Sequence, residues 1–389
     1  MRSALVVLAL LTALVRPPAS HGAAESGGAA SGVAFEAATR RGLEATEAGR
    51  YGRALAAFDE VVAAAPGRAE GYFFRAAVFQ ILAGHFDRPA YQKGFDENAA
   101  RALSRAEARV KAAPREAEAH LLAGLTQGMI AVRAIQRRHY LTAFRRGRET
   151  ARSLERAIAL RPGLEDAYYG LGVYYYWRSR ARWARLITRL KIVEDTGDKG
   201  LRYLRRAAAR GRWLKTLARI ELVWALYGEE RFAEGRKALA PLLRRHPDQP
   251  LYAFAGAEGY FLEKNYERAR SEYARLRRRL KARRALKGQR GDLARLYSDF
   301  AEWRVVRCNY EMGHYVAAGR GARIVRDKPD MGSPLLRRVR AAAGALVRRI
   351  EGEGETAPTP ASGAPASGAP APASGAPTAP ASGAAPAAR

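Results

Sequence analysis

From residue 35 to about residue 350 the apolar side chains recur at every third or fourth position, which lines them along one face of a helix. Proline or glycine cuts these stretches at intervals, so the chain reads as all-α and built of short helix pairs. Helices stop at Pro66, Pro114 and Pro162, where the ring removes a donor and clashes with the preceding turn. After Pro162 a new helix opens in which Tyr168, Leu171, Gly172 and Tyr175 supply a bulky knob, a core aliphatic, a position without a side chain, and a second aromatic. The same spacings recur at Gly42, Gly49, Tyr51, Ala54, Phe58 and Pro66, with Ala54 small where two helices must touch. They return at Leu222, Leu226, Phe232 and Pro247, at Tyr260, Tyr266, Ala269 and Tyr273, and at Gly313, Tyr315 and Ala318.

These residues resemble the tetratricopeptide repeat, over about residues 35–350. The resemblance implies an α-solenoid of about seven helix-turn-helix repeats, whose first helices (A) line a concave face that holds peptides, helices or whole proteins. It implies no reaction. The terminating prolines fall 48 residues apart, against about 34 in a standard repeat, so three successive repeats are enlarged. The extra residues are expected between helix A and helix B, near 84–97, 133–148 and 178–197, side by side as a lobe on one edge. A fourth insert, near 284–298, falls at the opposite edge, with Asp292 expected to cap the last long helix. Residues 333–350 read as the polar-faced capping helix that an array needs. The enlarged repeats, followed by Gly197-Asp198-Lys199-Gly200-Leu201-Arg202-Tyr203-Leu204, also look like a group of exported bacterial tetratricopeptide proteins.

Carrying the family's groove-facing positions onto this chain gives an aromatic ladder: Phe73, Tyr169, Tyr176, Trp177, Trp224, Tyr227, Phe254, Phe261, Trp303 and Tyr310. Rigid aromatic surface orders at little entropic cost, which suits it to anchoring a partner. The second position of the first four repeats is acidic: Glu36, Glu70, Glu118 and Asp166. First-turn carboxylates suit the positive end of a helix dipole, and the set lacks the Lys and Asn residues that clamp a C-terminal carboxylate in some family members.

Charge adds a second theme. The net charge is +30, and of the 68 basic residues only ten are lysine. Such a field favours anionic partners, although a bias toward Arg and Ala codons gives the same total. The insert at 178–191 is a basic amphipathic helix, with Trp183, Leu186, Ile187 and Leu190 on one stripe and Arg178, Arg180, Arg182, Arg185, Arg189 and Lys191 on the others. That stripe packs either on the neighbouring insert or, with Trp183, on an anionic membrane surface.

No catalytic chemistry emerges. The six histidines show no metal-ligand spacing, and there is no phosphate-binding glycine loop or nucleophile elbow, so no cofactor, metal or small-molecule substrate is expected. Cys308, the single cysteine, reads as a small buried apolar residue. At the start, Arg2, the apolar run from Ala4 to Val15 and the small residues at 20–22 read as an export signal over residues 1–22, cleaved after Gly22. Residues 23–34 read as a flexible spacer and 351–389, rich in Ala, Pro, Ser and Gly, as a disordered tail.

The chain is thus expected to be a non-catalytic scaffold of the bacterial cell envelope, periplasmic or secreted, holding a protein or peptide in the aromatic groove. The alternative is a peripheral envelope protein that docks on anionic lipid or lipopolysaccharide through the 178–197 insert. Nucleic acid is disfavoured as a partner by export.

Overall fold

Proline and left-handed turn residues set the boundaries of the helices in the computed structural model, which describes residues 26–180 and 196–353. The signal-like segment 1–22 with its expected cleavage, the centre of the third insert and the tail from 354 lie outside the described residues. Among the described residues fifteen α-helices follow in order: α1 Ser26–Glu47, α2 Tyr51–Ala64, α3 Glu70–His85, α4 Pro89–Ala112, α5 Ala117–Gln136, α6 Tyr140–Leu160, α7 Glu165–Arg180, α8 Gly197–Arg210, α9 Lys215–Gly228, α10 Phe232–Arg245, α11 Pro250–Leu262, α12 Tyr266–Leu280, α13 Gln289–Glu311, α14 Tyr315–Arg326 and α15 Pro334–Glu353. The first fourteen form seven antiparallel pairs and α15 is the cap, an all-α solenoid of the tetratricopeptide type. Residues 26–34, expected as spacer, are already helical backbone.

Five of the seven hairpins turn by one device. A residue with positive φ stands two places before the second helix: Gly49, Arg138, Glu230, Lys264 and Gly313, at φ 69°, 63°, 61°, 66° and 79°. The left-handed conformation lets the outgoing chain cap the last carbonyls of one helix and enter the next. Elsewhere Pro89, Pro250 and Pro334 begin helices at the first position, where no backbone donor is lost.

The expected lobe of inserts is not what the first two enlarged repeats build. The 84–97 and 133–148 segments lengthen helices instead, giving 24 residues in α4, 20 in α5 and 21 in α6 against 14 in α2 or α9. The α5–α6 connection remains a tight turn through Arg138, because a helix extended by further turns keeps its backbone groups satisfied and a long loop does not. At 284–298 the break falls at Gly288 with φ 72°, and α13 starts at Gln289. Asp292 is therefore not the cap; it lies in the first turn, and its carboxylate takes hydrogen bonds from Arg88 at 2.7 Å and Arg295 at 2.5 Å.

Three of the four recurring acids, Glu70, Glu118 and Asp166, tie their repeats to the turns that end them. Glu70, wholly buried, meets Arg68 at 2.5 Å and Arg109 at 3.5 Å; Glu118 pairs with Arg161. Asp166 accepts the N–H of Leu214 at 2.9 Å and of Trp213 at 3.3 Å, holding the turn before α9. Between α7 and α8 the backbones touch at two glycines: a Cβ on Gly172 would lie 2.9 Å from the Leu204 nitrogen, and one on Gly200 would lie 2.8 Å from the Tyr176 Cα. One apolar core runs through the stack from Phe35 to Val347.

The stack also winds until its early pairs meet its late ones. The Glu47 carbonyl at the end of α1 accepts Tyr252 Oη at 3.2 Å and Gln249 Nε2 at 3.3 Å, and His246 lies 3.3 Å from the Glu47 carboxylate. On the next turn His85 contacts Tyr297 Oη at 3.2 Å. Asp87 donates its N–H to the Gly332 carbonyl at 2.6 Å and receives Arg337 at 2.9 Å.

Candidate partner-binding surfaces

Packing between the pairs decides the fate of the aromatic ladder. Phe73, Tyr169, Tyr176, Trp224, Tyr227, Phe254 and Trp303 are all buried, so the expectation of an open groove lined by them does not hold for this conformation. The physical cause is the close packing of successive pairs: Tyr176 donates its hydroxyl to the Ala225 carbonyl of α9 at 2.9 Å, and the Tyr227 ring lies against Gly259 of α11. Phe254 rests against Tyr273, Tyr297 and Phe300, and Tyr297 in turn against His85. Trp177, Phe261 and Tyr310 keep partial exposure; Phe261 carries the Arg304 guanidinium 4.4 Å above its ring and Tyr310 packs on Tyr315.

The inner face is not wholly apolar. Glu258 joins Arg304 and accepts Tyr273 Oη at 2.5 Å, a buried charged pair completed by a hydroxyl. Neighbouring Cys308 is fully buried, and burial pushes its thiol up to about 12, consistent with the inert residue expected. Glu221 on α9 is also fully buried, and both its carboxylate oxygens lack hydrogen-bond partners. Burial raises its pKa to about 8; the Trp177 indole approaches and opposes that shift without reaching hydrogen-bond geometry.

The open ground lies outside. Helices α4 and α6 splay over the end of α5, leaving a cleft of about 610 Å³. Phe95, Ala99, Leu103, Ile130 and Ala134 supply its apolar lining, Lys111, Arg133, Arg137 and Arg146 its cations, and Asp96 and Glu107 its acids. Arg137 is neutralised by Asp96 at 2.7 Å and Arg146 by Glu149 at 2.8 Å. Arg133 has no such acid: it is buried, its Nε has no partner, and its guanidinium donates to the neutral Gln136 amide at 2.9 Å. Burial, and then the charge of Arg137, pull its pKa below the ordinary guanidinium value.

Beside the cleft, Ile135, Tyr140, Leu141 and Phe144 stand in solvent at 49%, 66%, 82% and 54% exposure. Sequence reasoning passes over them, because it weighs the insert at 133–148 for its length rather than for its pattern. The signal is present: apolar residues at 140, 141 and 144 among arginines at 137, 138, 145, 146 and 148 repeat the basic amphipathic composition of 178–191. Of the latter set, Arg182, Trp183, Arg185, Arg189 and Lys191 lie outside the described residues. Arg178 sits 5.5 Å from the Tyr174 ring centre, and Arg180 pairs with Glu229.

Among the described residues no group of His, Cys, Asp or Glu side chains is placed to hold a metal ion, and no helix is long and apolar enough to cross a membrane. No family model matches the chain, and no curated protein matches it. Among solved structures it is similar to PilW, described as a widely conserved type IV pilus biogenesis factor, at 14% identity over 61% of this chain and 88% of that one, with a TM-score of 0.41. It is similar also to TTC0263, a thermophilic tetratricopeptide protein of Thermus thermophilus, at 16% identity over 58% and 99%, TM-score 0.38. Yeast Tom70 follows at 12% identity over 74% and 65%, TM-score 0.30. The seven hairpins and their cap are what define the chain as a tetratricopeptide-like α-solenoid.

Proposed function

We propose that this protein is a non-catalytic scaffold which holds a segment of a partner protein in the outer cleft between α4 and α6. The observation that carries the reading is Arg133, a buried cation on the wall of an apolar-floored cleft that forms no ion pair among the described residues, with only the more distant charges of Asp96 and Asp87 to offset it. A buried charge held without a direct ion pair is costly, and a carboxylate brought by a ligand reduces that cost. The segment best suited is an amphipathic helix or extended stretch that sets apolar side chains on Leu103 and Ile130 and an acid on Arg133. The signal-like start of the sequence supports placing this scaffold in the cell envelope.

The aromatic inner face is a second site under this reading, reached only where successive pairs part. Site-specific photocrosslinking in intact cells tests the outer cleft. A crosslinker at Ser104 or Thr142 is expected to give one discrete adduct, lost on Arg133→Met, whereas one at the exposed Arg278 gives none. Adducts that are equal from all three positions, or that survive Arg133→Met, would remove the cleft from the proposal.

A further inference from the structure

The first two turns of α6 present a face that nothing in the fold uses. Tyr140, Leu141, Phe144, Arg145 and Arg148 fall at i, i+1, i+4, i+5 and i+8, one continuous strip of helix surface. Ile135 at the end of α5 and Arg138 of the turn extend it, and all seven side chains are exposed. The cleft-lining residues of the same helix, Thr142 and Arg146, point another way. Large apolar side chains standing in water cost free energy, and a soluble surface rarely clusters them. Arg138, Arg145 and Arg148 form no ion pair among the described residues, and Arg148 leans over the Phe144 ring at 5.9 Å. Two nearby acids are already paired, Glu149 with Arg146 and Asp96 with Arg137.

We infer that this face of α6 docks on an anionic lipid bilayer, with Tyr140, Leu141 and Phe144 entering the headgroup boundary and Arg138, Arg145 and Arg148 holding lipid phosphates. Three features select that occupant. The apolar residues are a leucine and two aromatics, types that lie well at the boundary between hydrocarbon and water. Arginines flank them, whose long stems let the apolar residues sink while the charges stay at phosphate level. A second copy of the chain is disfavoured, because a two-fold pairing of this face sets the same three arginines against themselves. The inference stands apart from the cleft: it uses a different side of α6 and survives if the cleft is empty.

Vesicle cosedimentation with the purified full-length chain tests it. With equal parts phosphatidylglycerol and phosphatidylcholine the protein is expected to sediment at low salt, with phosphatidylcholine alone to stay in solution, and to be released as salt rises. Leu141→Asp with Phe144→Asp is expected to weaken vesicle binding by about tenfold or more, since it removes apolar burial and adds repulsion. Both positions are exposed, so helical content and melting temperature should be unchanged.

Direct insertion is read with Leu141→Cys carrying an environment-sensitive dye, which labels selectively because Cys308 is buried. A blue shift on adding anionic vesicles supports the inference. It is overturned by no vesicle binding at low salt, or by binding that the double Asp variant leaves intact but Trp183→Asp abolishes. A dimer in sedimentation velocity that the double Asp variant splits would also overturn it, assigning the face to a second copy.

Discussion

Glu221 shows how a single side chain can set the pH response of the stack. Its carboxyl is buried without hydrogen bonds and its pKa rises to about 8, from the 4.5 of a free glutamate. The folded state therefore binds a proton that the unfolded chain releases, so this residue's contribution is fully present below pH 4.5 and is lost as pH rises through about 8. Glu221→Gln keeps the shape and removes the titration. The variant is expected to lie close to the parent in thermal melts near pH 5 and to exceed it by on the order of 4 kcal/mol at pH 8.5. An equal difference at both pH values would show that the carboxyl is solvated. The sequence carries no sign of this residue, because Glu221 on its helix looks like any solvent-facing acid until the inner face closes over it. The turn residues behave likewise. Gly49 and Gly313 are legible as turn glycines, whereas Arg138, Glu230 and Lys264 hold the same left-handed conformation without advertising it.

At the level of the helix pair the pattern is far more readable, because packing between neighbours in a chain is dictated by local spacing. Gly172 is expected from the sequence to let a helix approach, and it does, with Gly200 of α8 as its counterpart. A methyl at Gly200 meets the backbone of Tyr176 and not a flexible side chain, so neither helix can yield without moving bodily. Gly200→Ala is accordingly expected to cost about 2 kcal/mol or more in denaturant unfolding, despite alanine's better helix propensity. Gly163→Ala, where a Cβ has open space, is its control. The spacing of the prolines gives the size of the enlarged repeats correctly and misleads as to their form. Repeat length counts residues, but whether an extra stretch loops out or extends a helix depends on what it can pack against. Here α4, α5 and α6 lengthen together and so support one another.

For the molecule as a whole, the seam is the feature that no local pattern could have shown. It joins residues 199 to 250 positions apart in sequence, such as those of α1 and α11 or of α3 and α13. The residues of the aromatic ladder lie on the first helices of their pairs, as their spacing predicts. Their burial comes from contacts between successive first helices, such as Tyr176 on α9 and Tyr227 on α11, which the spacing within one helix does not show. The seam should also be acid-sensitive. Burial lowers the pKa of His85 from 6.5 to about 4, while its ring bridges the Ile81 carbonyl and Tyr297. A depressed histidine contributes stability above pH 6.5 that is lost as pH falls toward about 4. Hydrogen exchange in α3 and α13 is expected to quicken, beyond its intrinsic pH dependence, between those values. His85→Gln should abolish that extra component, and its persistence in the variant would place the weak point elsewhere.

A plain stack of hairpins tolerates gain or loss of a unit, since each answers only to its neighbours. This one has Glu47 latched to Tyr252, and one more hairpin between them would carry the latch past its catch. The length of the protein is therefore under a constraint of circumference, as with staves in a cask. Duplication, the usual route by which such arrays grow, is closed to the stretch from α1 to α11 unless the latch is given up first.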